Sequence, residues 1–80
     1  MSYLNRSDKR ILKGIANKIK DNYEDDTPFR LKDSELIFIA RMKLVYNSNK
    51  MLLLADFMDA FEGASEEEAL EIMDSLLKEN

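Results

Sequence analysis

The chain has 80 residues, of which 45% are hydrophobic and 35% charged, and its formal net charge is −4. A chain of this length holds one small core, because it buries only about 60 to 65% of its unfolded surface. It contains two glycines, one proline, no cysteine and no histidine, which excludes a disulfide or thiolate-metal scaffold and is typical of a folded, helix-rich domain. We therefore predict one helical domain over residues 1–80.

The charged residues are sorted along the chain. Residues 1–20 carry a net charge of +5, whereas residues 51–80 carry −8. Such asymmetry indicates an interaction surface at either end, or head-to-tail pairing of two molecules. No apolar run has the length of a signal peptide or a membrane span, so we expect no membrane span and a soluble, cytoplasmic protein.

The first predicted helix spans residues 8–23, with Ser7 as its N-cap. At 100° per residue, its apolar side chains fall in one arc of about 140°. A basic face adjoins that arc and contains Lys9, Arg10, Lys13 and Lys20. Gly14 lies inside the helix, where it is either tolerated on the surface or allows another helix to approach closely. An acidic connection containing Pro28 ends the helix, because proline disfavours helical geometry in the residue before it.

The stretch from Leu36 to Phe61 dominates the sequence, since 18 of its 26 residues are apolar. Its first half follows a helix start at Asp33 or Ser34 and predicts a helix over residues 34–46 that is apolar nearly all round. The same residues also alternate as in a strand, so a β-hairpin over residues 36–54 stays the structural alternative. We favour the helix because Met, Leu, Ala, Arg and Lys have high helix propensity.

The second half of that stretch predicts a helix over residues 50–62, capped by Asn49 and ended by Gly63. Its expected solvent side is marked by Asp56, Asp59 and Glu62. The Ser-x-x-Glu pattern from Ser65 to Glu68 is a capping box, and it predicts a fourth helix over residues 66–78. The predicted fold class is therefore all-α, a compact four-helix domain, with an α+β arrangement that contains the hairpin as the alternative.

The residue types present argue against catalysis. The absence of histidine and cysteine removes the commonest general base and the strongest nucleophile. Each close group of carboxylates lies in a polar loop or on a solvated helix face, where nothing would raise a carboxyl pKa. The acidic stretch from Asp21 to Lys32 lacks the glycine and the final glutamate of a calcium-binding EF-hand loop. We therefore predict a non-enzymatic protein with no catalytic residue, no metal site and no cofactor.

The apolar surplus of the second and third helices is the main functional clue. A domain of this size can cover one central apolar helix on all sides, but hardly two. We hypothesise a small regulatory or adaptor protein that binds a protein partner, with self-association into a homo-oligomer as one form of that binding. The predicted apolar contact residues are Met42, Met51, Leu52, Phe57, Met58 and Phe61. The opposing interpretation is that the first and fourth helices cover this surface completely.

Two alternatives rest on charge. The basic face of the first helix would lie along nucleic-acid phosphates in an accessory protein of that kind, although the chain is acidic overall and the face has no interleaved aromatic residues. The acidic C-terminal third would instead occupy the basic site of a nucleic-acid enzyme, as an inhibitor. For both charged regions the simpler interpretation is a solvated helix face.

Overall fold

A computed structural model describes residues 3–25 and 30–78, with side chains for residues 3–21 and 30–78. Within these ranges the chain forms four α-helices and no strand: α1 Arg6–Asp25, α2 Asp33–Asn49, α3 Met51–Ala60 and α4 Glu66–Leu77. This confirms the all-α four-helix domain. The hairpin alternative over residues 36–54 is wrong, because this segment is helical on both sides of Lys50.

The start of α1 differs from the predicted start. Asn5 Oδ1 accepts a hydrogen bond from Asp8 N at 2.8 Å, so α1 begins at Arg6 and Asn5 is the capping side chain. The prediction of Ser7 as the cap is wrong, because Ser7 already lies within the first helical turn. α1 continues to Asp25, two residues beyond the predicted end at residue 23, so the first part of the acidic stretch is helical and not a connection. Residues 26–29, which include Pro28, lie outside the described residues.

The start of α2 uses a capping residue that sequence analysis did not select. The N-cap position is Lys32, and neither Asp33 nor Ser34 occupies it. Glu35 Oε1 accepts a hydrogen bond from Lys32 N at 2.7 Å, which is the reverse half of a capping box. Because Glu35 satisfies this backbone donor from inside the helix, α2 begins at Asp33, one residue before the predicted start.

Only one residue separates α2 from α3. Lys50 keeps a right-handed helical backbone, with φ −60° and ψ −25°, and Leu53 N donates to Lys50 O at 3.1 Å in an i to i+3 hydrogen bond. The prediction of Asn49 as a cap is wrong, because Asn49 is still the last residue of α2. The two helices therefore follow each other almost without interruption.

The end of α3 and the start of α4 follow local signals. α3 ends at Ala60, two residues before the predicted end at residue 62, and its C-cap is Phe61. The left-handed backbone begins at Glu62 (φ 37°) and continues at Gly63 (φ 78°), so the turn starts one residue before the glycine that was predicted to end the helix. Glu68 N donates to Ser65 Oγ at 3.2 Å, and Ser65 N donates to Glu68 Oε1 at 3.5 Å. The predicted capping box is thus confirmed.

The core lies on one side of the α2–α3 segment, which we call its inner side. Phe38, Ile39 and Met42 are buried there on α2, and Leu53 and Phe57 on α3. Both α1 and α4 pack against α2 and α3, whereas within the described ranges α1 and α4 do not pack directly on each other. The remaining buried apolar side chains are Leu4, Leu12, Ile15, Ala16, Ala60, Ala69, Met73 and Leu77.

Asp56 joins the N-terminal residues to this inner side. Its side chain is buried, and Asp56 Oδ2 accepts hydrogen bonds from Tyr3 N and Leu4 N, both at 3.2 Å. The prediction that Asp56 faces solvent is wrong, because these two N–H groups satisfy the carboxylate and make its burial tolerable. Leu4 is thereby held in the core.

Candidate protein-binding face

The side of α2 and α3 that faces away from α1 and α4 carries the candidate site. Five large apolar side chains are exposed there, and we call them the outer face: Leu36 (51% exposed), Ile37 (63%), Leu44 (71%), Met51 (52%) and Leu52 (46%). Ile37, Leu44 and Met51 are spaced seven residues apart, which is close to two helical turns. Because Lys50 keeps a helical backbone between α2 and α3, a helical wheel continued through Lys50 places all five within an arc of about 160°.

Basic residues flank the outer face. Arg41 and Lys43 lie on either side of the exposed stripe when α2 is drawn at 100° per residue, and α2 has no acidic residue after Glu35. Arg41 is anchored, since Arg41 Nη2 lies 2.6 Å from Asp8 Oδ1 and the guanidinium carbon lies 5.9 Å from the centre of the Phe38 ring. The face is therefore apolar in its centre, with Lys43 at one edge and the Asp8-paired Arg41 at the other.

The predicted apolar contact residues divide between this face and the core. Met51 and Leu52 are on the outer face, whereas Met42 and Phe57 are 2% and 1% exposed and belong to the core. Met42 and Phe57 are thus unavailable to a partner, because α1 and α4 cover the inner side. The other two predicted residues, Met58 and Phe61, are half-buried at the edge of the core.

Sequence reasoning did not select three of the outer-face residues: Leu36, Ile37 and Leu44. The signal for them was the apolar character of α2 around its whole circumference, which requires that some apolar side chains stay exposed when only one side is covered. The sequence did not show which side of α2 faces the core, because the buried residues of that side include a carboxylate, Glu35, which is normally expected on the surface.

Glu35 links α1 and α2 on the inner side. Glu35 Oε1 lies 2.5 Å from Lys18 Nζ, and Lys18 Nζ also donates to Arg30 O at 3.0 Å. Gly14, one turn before Lys18, faces the same carboxylate, since a Cβ at Gly14 would lie 3.3 Å from Glu35 Oε2. The interpretation of Gly14 as a point of close approach therefore has a structural basis.

The pKa of Glu35 reflects this arrangement. Burial by itself would raise the pKa of the carboxyl group, but the hydrogen bonds from Lys18 and from Lys32 N, together with the charges of both lysines, lower it below its ordinary value. The group is therefore held as an anion in a structural ion pair, and it is not a proton donor near neutral pH.

The predicted basic face of α1 is partly directed at the chain's own carboxylates. Lys9, Arg10 and Lys20 are exposed, but Lys13 Nζ lies 2.5 Å from Glu62 Oε1. The hydrogen bond from Lys13, followed by the charges of Lys13 and Lys20, lowers the pKa of Glu62. Lys13 and Lys20 thus interact electrostatically with Glu62 of the same chain. This interaction leaves less positive charge on the face for binding phosphates.

The acidic residues of α4 also have structural partners. Asp74 accepts a hydrogen bond from the Tyr46 hydroxyl group, and Glu68 completes the capping box. The exposed Glu66 and Glu67 lie in the first turn of α4, where negative charge is favourable because of the helix dipole. These contacts account for much of the acidic charge without a basic partner.

A groove separates α1 from α4, because these two helices do not pack directly on each other in the described part of the chain. Its volume is about 430 Å³. Its apolar lining includes Ile19, Phe61 and Ile72, while Lys20 and Glu68 contribute polar groups. The groove is consistent with the half-buried position of Phe61, but its charged groups include both signs and select no ligand.

The described residues contain neither a metal-binding cluster nor a helix that could span a membrane. The described residues contain no group of three or more histidine, cysteine or carboxylate side chains that could hold a metal ion. Among the helices of residues 3–25 and 30–78, none is both long enough and apolar enough to cross a bilayer. Comparisons of the chain with protein-family models, with curated proteins and with solved structures found no match.

Proposed function

We propose that this protein is a small non-enzymatic regulatory or adaptor protein that acts by binding a protein partner through the outer face. The observation that carries this proposal is the exposure of five large apolar side chains on one side of α2 and α3. Contiguous apolar patches with a polar rim mark protein-binding surfaces in soluble domains. Met51 has an unbranched, flexible side chain that adapts readily to a partner's shape, which suits such a contact.

The division of α2 into buried and exposed apolar residues supports this assignment. On α2, Ile37 and Leu44 are exposed, whereas the nearby Phe38 and Met42 are almost completely buried. The core is therefore formed without the outer face, and the exposed side chains are not needed to complete it. Large apolar side chains that the core does not use gain stabilisation when a partner removes them from water.

Two further features support a non-enzymatic role. The chain contains neither histidine nor cysteine. Glu35 and Asp56, the buried carboxylates among the residues whose side chains are described, accept hydrogen bonds from donors of the same chain. The pKa values of Glu35 and Glu62 both lie below the ordinary value. A general acid at neutral pH requires the opposite shift.

Site-specific photo-crosslinking tests the proposal. A photo-crosslinking amino acid replaces Leu44, the most exposed residue of the outer face, and a matched control carries it at Ser75, which is exposed on α4. In the protein's native cells we expect covalent protein adducts from position 44 and none from position 75. Equal adducts from both positions, or none from position 44, would contradict the proposed function.

A further inference from the structure

We infer that Met51 is a site of reversible oxidation by peroxide, and that conversion of its thioether to a sulfoxide weakens binding through the outer face. This inference rests on the proposed function of the outer face and adds its regulation. The reactivity of Met51 depends on no partner, whereas its effect on binding does, so separate measurements test the two.

Methionine supplies the most readily oxidised side chains of this protein. The sequence contains no cysteine and no tryptophan, so a peroxide attacks methionine sulfur first. Four methionines have described side chains. Met42 and Met73 are buried, and Met58 is half-buried against the core. Of these four, only Met51 is exposed, with 52% of its surface open to solvent, and it is therefore the one that a peroxide reaches directly.

Met51 also lies within the outer face and not at its flank. On the helical wheel continued through Lys50, Met51 falls about 20° from Leu44 and about 40° from Ile37, inside the arc that the exposed apolar residues occupy. A partner that covers Leu44 and Leu52 therefore covers Met51 as well. The oxidation acts on the unbound protein, because a bound partner shields the sulfur from the peroxide.

Oxidation changes the polarity of this side chain and leaves the backbone intact. A lone pair of the sulfur forms the new S–O bond, the O–O bond of hydrogen peroxide breaks, and water leaves. The thioether is thereby oxidised by two electrons and the peroxide is reduced. The sulfoxide oxygen accepts hydrogen bonds from water, so its removal from water by an apolar partner surface is unfavourable, on the order of tenfold in affinity.

The fold tolerates a sulfoxide at this position. Met51 belongs neither to the buried core nor to the half-buried residues that pack against it. A sulfoxide at Met42 or Met73 would instead place a polar group in the core and destabilise the protein. Reduction by a methionine sulfoxide reductase, in which a dithiol is oxidised to a disulfide and the oxygen leaves as water, restores the thioether. The change at Met51 is therefore reversible with the four helices intact.

Mild oxidation of the intact protein tests the reactivity. In dilute hydrogen peroxide, peptide mapping by mass spectrometry should show oxygen addition at Met51 on the order of tenfold faster than at Met42 or Met73, because buried sulfurs are reached only after local opening. The helical circular dichroism spectrum should stay unchanged. Mapping separates Met51 from Met1, which lies outside the described residues.

Two leucine variants provide the controls for this measurement. Met51→Leu conserves most of the side-chain volume and should remove the fast oxygen addition, whereas Met58→Leu should retain it. Equal rates of oxidation at Met51 and at another described methionine would overturn Met51 as the site.

Crosslinking from position 44 tests the effect on binding. The protein that carries the photo-crosslinking amino acid at Leu44 is oxidised, freed of peroxide and added to an extract of its native cells, so that the partner itself stays unoxidised. We expect protein adducts to fall about tenfold on oxidation and to return after treatment with methionine sulfoxide reductases and a dithiol. Met51→Leu should give adducts that oxidation does not reduce, and Met51→Gln should reduce them without any oxidant.

The outcomes are distinct. Adducts that persist after complete oxidation of Met51 would overturn the regulation and leave the proposed function standing. An equal loss of adducts on oxidation of the Met51→Leu protein would assign the loss to another residue and would also overturn the regulation by Met51. Absence of adducts from position 44 before oxidation would overturn the proposed function, and the regulation with it.

Discussion

The two sides of α2 have similar composition and opposite environments. Phe38 and Met42 on the inner side are almost completely buried, while Ile37 and Leu44 on the outer side are 63% and 71% exposed. The two sides differ because α1 and α4 both pack on the inner side and shield it from solvent, while neither helix covers the outer side. Hydrophobicity along the chain therefore predicts how much apolar surface must be covered, but not which part the fold itself covers.

The polar residues sharpen this comparison. The inner side of α2 and α3 contains the buried carboxylates Glu35 and Asp56, whereas the outer side carries large apolar residues. Each buried carboxylate has donors within the chain, so its desolvation is offset. Matched substitutions on the two sides can therefore test whether burial by other helices, and not residue type, determines how much each side chain contributes to stability.

The largest difference is expected between neighbouring apolar residues of α2. Phe38→Ala should lower the free energy of unfolding by about 3 to 5 kcal/mol, because it removes a buried ring and leaves a cavity. Ile37→Ala should change it by less than about 1 kcal/mol, because the side chain is already exposed. Urea denaturation at low protein concentration measures both. Equal losses for the two variants would contradict the assignment of inner and outer sides.

The next difference concerns two aspartates of α3. Asp56→Ala should destabilise the protein by about 2 kcal/mol, because the buried N–H group of Leu4 and the partly buried N–H group of Tyr3 lose their acceptor. Asp59→Ala, an exposed position one turn later, should change stability by less than about 0.5 kcal/mol. Thermal or urea unfolding of both variants provides the comparison. A neutral effect of Asp56→Ala would show that the N-terminal residues contribute little to the core.

A pH titration of stability tests the two carboxylates at the start of α2. Because the folded protein lowers the pKa of Glu35 below its ordinary value of 4.5, the stabilisation is present above that value and is lost as the pH falls through the lowered pKa. Glu35→Gln should cost about 1 to 2 kcal/mol at pH 7 and should flatten this part of the profile.

The matched control for that titration is Asp33→Asn. Asp33 is exposed in the same first turn, so its replacement should leave most of the acid-dependent loss of stability in place. If Asp33→Asn flattens the profile as much as Glu35→Gln does, the ion pair with Lys18 is not its source.

The smallest expected effect is at Gly14. In the unmodified protein, the gain in helix propensity from Gly14→Ala is opposed by crowding, since the new Cβ lies 3.3 Å from Glu35 Oε2. In a Glu35→Ala background that opposition is absent, and Gly14→Ala should stabilise the protein by up to about 1 kcal/mol. A double-mutant cycle measures the coupling between the two positions, and strict additivity would exclude the close contact.

Local signals in the sequence predicted much of the fold. The capping box at Ser65 was correct, because it depends on residues only three positions apart. The stop predicted at Gly63 was close, since α3 ends at Ala60 and the left-handed turn begins at Glu62. The caps at Asn5 and Lys32 were missed, since several polar residues compete at each helix start. Asp56 was assigned to solvent because its hydrogen-bond donors, Tyr3 N and Leu4 N, are 53 and 52 residues away in the chain.

The sequence by itself predicted an all-α four-helix domain with a hairpin over residues 36–54 as its alternative, and it located a surplus of apolar surface between Leu36 and Phe61, because periodicity and caps are properties of neighbouring residues. The structure decided that this stretch is helical. Only the tertiary structure decided that Met42 and Phe57 belong to the core while Leu36, Ile37 and Leu44 stay exposed. The physical reason is that a helix apolar on all sides has no preferred inner side of its own. Packing of α1 and α4, together with the contacts of Glu35 and Asp56, selects that side.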